Sequence, residues 1–234
     1  MRLYIIRHAD PDYPNNTITR TGHLEAQALA PRMQREGLHR IYSSPLGRAR
    51  DTAKYSAQAL NLPVEIEEWT AELSDLRSAE APFAGMMAWD FHGEVIRGGE
   101  TMPMHHNWHE LPHLSVPHIR EIFERVKRNS DEFLARHGYV REGGLYKIEN
   151  RNREKIAVFC HGGFGLTWLA HLLEIPLPLM WSGFFLPPSS VTTILLDERS
   201  ENFAVPRCIG LGDVSHLYAA DLPVQPSGIK ANFY

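Results

Sequence analysis

At 234 residues, 43% of them hydrophobic, the chain can bury a full core, and a single domain over residues 1–234 is expected rather than two small ones. Its formal charge of -4, with lysine and arginine spread along the chain, leaves no electrostatic footprint for nucleic acid or an anionic membrane, so an anionic ligand has to be captured by local groups. Cys160 and Cys208 are too few for a disulfide framework and allow at most one bridge; with no signal-peptide pattern at the start and no apolar run long enough to span a bilayer, the expected compartment is the cytoplasm.

Residues 3–6 are short, apolar and β-prone, the pattern of a buried strand that delivers Arg7 and His8 to its carboxyl end. The spacing of Leu24 with Ala28 and of Leu29 with Met33 predicts a helix over 19–36, stopped by Gly37 and bent or ended early at Pro31. Ile41-Tyr42 reads as a second strand. Ser44 then serves as an N-cap, Pro45 as the first helical residue, and Leu46, Ala49, Ala53, Ala57 and Leu60 as an apolar stripe. Val64–Ile66 is a third strand. From about 74 to 117, prolines, glycines, methionines, tryptophans and histidines occur without a sustained period, as in an inserted irregular or helical lid.

Order returns with a long helix marked by Ile119, Ile122, Phe123, Val126, Phe133 and Leu134 and stopped at Gly138. Residues 156–159 form a strand running into Cys160-His161-Gly162-Gly163, and 166–173 the following helix. Strands over 191–196 and 203–209, joined by a turn over 197–202, close the pattern, and the tail from Pro223 is irregular. Strands alternating with helices imply a three-layer α/β/α sandwich with a mostly parallel central sheet.

In an open α/β sheet the ligand site lies beyond the carboxyl ends of the strands. Three such ends here carry Arg7-His8, Arg48 just past Ser43-Ser44, and His161. Arg48 falls in the first turn of its helix, where its guanidinium and the free N–H groups of that turn can face one anion. Two arginines and two histidines converging describe a phosphate pocket, because the planar guanidinium donates paired hydrogen bonds to phosphate oxygens. Singly, each has a plainer explanation: a salt-bridged surface dipeptide, a helix start with solvated arginines, a tight glycine turn. Their joint occurrence at equivalent strand ends favours the pocket.

Arg7-His8-Ala9 resembles the Arg-His-Gly signature of the histidine phosphatase superfamily, which includes the cofactor-dependent phosphoglycerate mutases and many small-molecule phosphatases. The run from Ser43 through Arg48 to Ala53 is similar to that family's second block, Cys160-His161-Gly162-Gly163 to its late His-Gly block, and Asp213-Val214-Ser215-His216-Leu217 to its last recognisable segment. The resemblance implies that His8, held neutral with one ring nitrogen free, attacks phosphorus and becomes phosphorylated. Arg7, Arg48 and His161 are then expected to bind the equatorial oxygens, the work a metal ion does elsewhere, so that neither metal nor cofactor is needed. A carboxylic acid protonates the leaving oxygen in this family, and Glu72 is chosen by its place after the third strand, with Asp75, Asp90, Glu94 and Glu100 as rivals.

Two departures from the family pattern stand out. Ala9 replaces the usual glycine, and the run from His8 to Thr19 is shorter than in the mutases, which favours a phosphatase. Arg50 is a weaker pocket candidate than Arg48, since helical residues two apart point in different directions. The expected reaction is hydrolysis of a small-molecule phosphate ester to inorganic phosphate; a mutase-type transferase and a protein that binds phosphate without turnover are the alternatives.

One signature belongs to another class. His109-Glu110-Leu111-Pro112-His113 matches the zinc-protease pattern, with His105, His106 and His118 nearby. Pro112 inside the required helix costs ~3 kcal/mol or more, so a histidine-rich lid partly lining the pocket is the preferred reading. Trp168 is expected in the core, and Trp89 and Trp108 either pack down the insertion or contact substrate. No feature separates a phosphosugar from a nucleotide, a phosphoacid or a phosphopeptide.

Overall fold

The computed structural model describes residues 1–78, 81–111, 114, 117–229 and 232–233. In chain order the elements are β1 (Arg2–Arg7), the short pair β2 (Pro11–Asp12) and β3 (Thr17–Ile18), α1 (Arg20–Glu36), β4 (Arg40–Ser43), α2 (Gly47–Leu60), β5 (Val64–Ile66), α3 (Gly93–Arg97) and α4 (Pro117–Arg136). There follow β6 (Tyr139–Glu142), β7 (Leu145–Ile148), β8 (Lys155–Cys160), α5 (Gly162–Leu172), α6 (Leu177–Gly183), β9 (Val191–Asp197), β10 (Phe203–Asp213) and α7 (Ser215–Ala219). Eight strands make one sheet in the order β5-β4-β8-β1-β9-β10-β7-β6. The half that carries Arg7, Ser43 and Cys160 at its strand ends, β5-β4-β8-β1, is parallel, and the remaining pairings are antiparallel, so the sheet is mixed.

β1 is apolar at every central position because both of its faces are covered. Tyr4 and Ile6 pack with Ile41 and Phe159 against Leu29 and Met33 of α1 and Ala53 and Ala57 of α2. Leu3 and Ile5, pointing the other way, share a core with Val158, with Phe123, Val126 and Phe133 of α4, and with Trp168 of α5. These are the three layers. No helix among the described residues is long and apolar enough to cross a membrane.

Local chemistry sets the ends of α1. The Thr19 hydroxyl accepts the Gly22 N–H at 3.1 Å and donates to Asp10 at 2.7 Å, and Gly37, at φ 69°, gives its N–H to Met33 and Gln34 carbonyls. Pro31 neither ends nor shortens the helix, contrary to expectation: it and Gln27, whose carbonyl it leaves without a partner in the helix, are exposed, and water can serve that carbonyl. Ser44 is not the N-cap of α2. The helix starts at Gly47 behind Leu46, which makes no side-chain cap bond, and the Ser44 hydroxyl accepts the Leu46 N–H at 3.2 Å while its other partner is His161.

The irregular stretch after β5 contains one-turn helices at Ser74–Leu76, Ala88–Asp90 and Trp108–Glu110, together with α3. Leu76, Phe83, Phe91, Ile96, Trp108 and Leu114 are buried in the same core as α4 and α5, so hydrophobic burial holds this segment on the sheet's carboxyl-end side.

Candidate active site

Strand register brings the expected residues together. Arg7 pairs with Cys160, and Ser43 with Phe159, so the residues that follow, His8, His161 and Ser44, leave three adjacent parallel strands side by side. The His8 N–H donates to the Cys160 carbonyl at 2.9 Å, and the Ser44 N–H to the Phe159 carbonyl at 2.9 Å. The His8 and His161 rings lie 5.1 Å apart between centroids.

His8 is 1% exposed, and its Nδ1 lies 2.8 Å from the Ala9 carbonyl. A carbonyl only accepts, so Nδ1 carries the proton and Nε2 keeps its lone pair. Burial, then the positive charge of Arg7 and of Arg48, holds the imidazole's pKa well below its ordinary value, against the opposing pull of the Ala9 carbonyl. His161 is likewise buried and lowered, by burial first and then by His8, Arg48 and Arg7. Its Nε2 meets the Ser44 hydroxyl at 2.7 Å, while Nδ1, buried, has no partner among the described residues.

Arg7 and Arg48 are both buried, and in each the Nε is a buried nitrogen without a hydrogen-bond partner among the described residues. Arg7 is aimed by a 2.6 Å bond from Nη1 to the Leu186 carbonyl, and Arg48 by a 3.3 Å bond from Nη1 to Asn16. A Cβ on Gly162 would stand 3.3 Å from the Arg7 Nε, so glycine there lets the guanidinium lie against the backbone. Arg50, by contrast, is exposed on the far side of its turn.

Glu72 sits at the amino end of α5. Its carboxylate accepts the Phe164 N–H at 2.8 Å, the Leu73 N–H at 3.2 Å and the Gly163 N–H at 3.3 Å. Those donors and Arg48 favour the charged form, yet burial outweighs them and raises the carboxyl pKa above its ordinary value. Among the rivals, Asp75, Asp90, Glu94 and Glu100 are exposed, and only Asp90 lines the same cavity.

Several neighbours escaped the sequence reading. Thr52 accepts the Ala9 N–H at 3.0 Å and donates to the Arg48 carbonyl at 2.7 Å, tying the segment after β1 to the first turn of α2. Tyr13 lies under the Arg48 guanidinium, 5.4 Å from it. The Asp213–His216 block reaches the site indirectly: His216 Nε2 meets the Ser189 hydroxyl at 3.0 Å, and the Ser189 N–H donates to the His8 carbonyl at 3.1 Å. Of the described histidines in the histidine-rich part of the insertion, His105, His106, His109 and His118, none lines the cavity. His105 bonds the Glu174 carbonyl at 3.0 Å, and the insertion's contribution to the wall is Ser74, Arg77, Met87, Trp89, Asp90, Phe91 and Gly93. His109 and Glu110 belong to a one-turn helix, whereas Pro112 and His113 lie outside the described residues. Among the described residues no group of three or more His, Cys, Asp and Glu is placed to hold a metal ion.

The family model of the histidine phosphatase superfamily, branch 1, matches residues 3–207. The chain belongs to that superfamily. No curated protein matches the sequence. Among solved structures, a phosphoserine phosphatase from Entamoeba histolytica in complex with 3-phosphoglyceric acid is similar at a TM-score of 0.60 and 17% identity, over 92% of this chain and 98% of that one. A mycobacterial glucosyl-3-phosphoglycerate phosphatase with inorganic phosphate matches at 0.62 and 18%, over 92% and 98%. YhfR of Bacillus stearothermophilus matches at 0.59 and 23%, again over 92% and 98%. These superfamily members share the three-layer α/β fold.

Proposed function

We propose that the chain is a phosphomonoester hydrolase acting on a small phosphorylated metabolite through a phosphohistidine on His8. The observation that carries this is that Arg7, Arg48 and His161, each with a buried nitrogen that has no hydrogen-bond partner among the described residues (Nε, Nε and Nδ1), stand beside the buried imidazole of His8, whose Nδ1 lies against the Ala9 carbonyl and leaves the Nε2 lone pair available. Each of these nitrogens donates, provided the Ser44 hydroxyl donates to His161 Nε2 and so leaves the proton on Nδ1. A tetrahedral anion with three equatorial oxygens matches that set.

In the first half-reaction Nε2 of His8 forms a bond to phosphorus as the bond to the alcohol oxygen breaks, and Glu72 gives its proton to that oxygen. In the second, water attacks the phosphorus, the Glu72 carboxylate takes a proton from the water, and the nitrogen–phosphorus bond breaks to release inorganic phosphate. Arg7, Arg48 and His161 hold the equatorial oxygens throughout. The segment 74–117 serves as the lid of a single domain, and the free thiols Cys160 and Cys208 fit the reducing cytoplasm. Incubation with an aryl phosphate tests the reading: catalytic release of inorganic phosphate is expected, and saturable phosphate binding without release would make the protein a binding module.

A further inference from the structure

The space beyond the phosphate pocket is large and of unusual character for a phosphorylated acid. The cavity measures about 940 Å³, at the upper end of the range for small-molecule sites, and a phosphorylated three-carbon acid fills a small part of it. Its walls are aromatic from the phosphate outward. The Arg7 guanidinium abuts the Phe185 ring at 5.7 Å, and Trp89 is pressed so closely on the first turn of α5 that a Cβ on Gly163 would stand 2.5 Å from the indole. Gly163 is also one of the donors to Glu72, so the indole face begins beside the group that protonates the leaving oxygen. Phe91 and Trp181, both buried, continue the wall.

Charge points the same way. Once Arg7, Arg48 and Glu72 are assigned to the phosphate and its leaving oxygen, the remaining charged lining residues among those described are Arg77 and Asp90, of opposite sign. Arg77 already donates to the Gly85 carbonyl. Among the described lining residues a substrate carboxylate would therefore meet no net positive charge beyond the phosphate, and its desolvation against tryptophan and phenylalanine would go uncompensated there.

We propose that this site selects phosphate monoesters whose alcohol carries an apolar ring beyond a short linker, with Trp89 as a specificity-determining wall. The inference rests on the phosphate-ester reading above for the position of the ester oxygen, but it is a statement about binding and is tested without turnover. Calorimetric affinities of 3-phenylpropylphosphonate, propylphosphonate and 3-phosphonopropionate for the full chain make the comparison. The phenyl compound is expected to bind at least about tenfold more tightly than propylphosphonate, from burial of the ring, and the carboxylate no more tightly than propylphosphonate. In Trp89→Ala the phenyl-to-propyl affinity ratio is expected to fall to about threefold or less. Equal affinities of the phenyl and propyl compounds in the parent protein, or tighter binding of the carboxylate, would overturn the inference whatever the variant does. Turnover is read separately with 3-phenylpropyl phosphate: failure to release phosphate despite the expected phosphonate ratios would overturn the hydrolase reading and leave this one standing.

Discussion

His8 is a buried imidazole beside two guanidinium groups, and that environment sets its protonation before any substrate arrives. Because its pKa is held well below the ordinary 6.5, the neutral imidazole persists into mildly acidic solution, while Glu72, raised above the ordinary 4.5, keeps its proton over part of the same range. The expected kcat/KM profile for an alkyl phosphate is a bell whose acid limb reports His8 and whose alkaline limb reports Glu72. His8→Ala should lower turnover by on the order of 10³-fold or more, and acid-labile phosphate trapped on the parent protein should map to His8. Phosphate on another residue would remove His8 from the nucleophile's role. Glu72→Gln should slow single-turnover phosphoryl transfer from an alkyl ester by ~10²–10⁴-fold, much less from an aryl ester whose leaving group departs unprotonated, and should abolish the alkaline limb. Equal slowing for both esters would mean that Glu72 positions substrate without protonating it.

Among the elements, α1 contains a second buried carboxyl that takes no part in the proposed chemistry. Glu25 is fully buried; one of its oxygens accepts the Asp10 N–H at 2.9 Å, and the other makes no hydrogen bond among the described residues. Burial raises its pKa to about 7. The folded pKa thus exceeds the unfolded one, so the stability tied to the protonated carboxyl is present below about pH 4.5 and is lost as pH rises through 7. Glu25→Gln, neutral throughout, should therefore raise the melting temperature at pH 8, by an amount corresponding to at most on the order of 3 kcal/mol, and change it far less at pH 5. Thermal melts of both proteins at the two pH values check this, and a gain equal at both would refute the ionisation argument. The hairpin of β6 and β7, absent from the sequence reading, did have a signal: two short runs holding Tyr139 and Val140 and then Leu145, Tyr146 and Ile148, separated by Gly143-Gly144.

For the whole molecule, the proposed phosphate pocket, formed by groups far apart in sequence, predicts linkage between ligand and folding. Inorganic phosphate at about 100 times its dissociation constant should stabilise the protein by ~2.7 kcal/mol, seen as a concentration-dependent rise in melting temperature. Arg48→Ala should still unfold in one cooperative transition, because Arg48 lines the cavity and its guanidinium's hydrogen bond among the described residues is to Asn16, but the phosphate-dependent rise should shrink to a small fraction. An undiminished rise would take Arg48 out of the phosphate pocket.

Short-range physics made the scaffold of this site readable in the sequence. Apolar runs ending in Arg7-His8 and Cys160-His161, and an amphipathic helix opening near Arg48, depend on neighbours within a few residues, so strand–loop–helix units and their four cationic or imidazole side chains stood out. Which atoms those side chains offer was settled only by tertiary contacts. Ser44 looked like a helix cap because its local sequence suits one, and it became the partner of His161 because β4 and β8 are adjacent. Asn16, Tyr13, Thr52 and the Leu186 carbonyl aim the arginines and Ala9 from segments that no periodicity connects to β1 or β8. The aromatic wall around Trp89 arises from a segment without any period, held where it is by burial of Phe83, Phe91 and Ile96. Residue type and strand-end position determined which chemistry this chain carries; the order of strands in the sheet and the packing of the insertion decided the geometry, because contacts between distant segments are set by the shared core they bury.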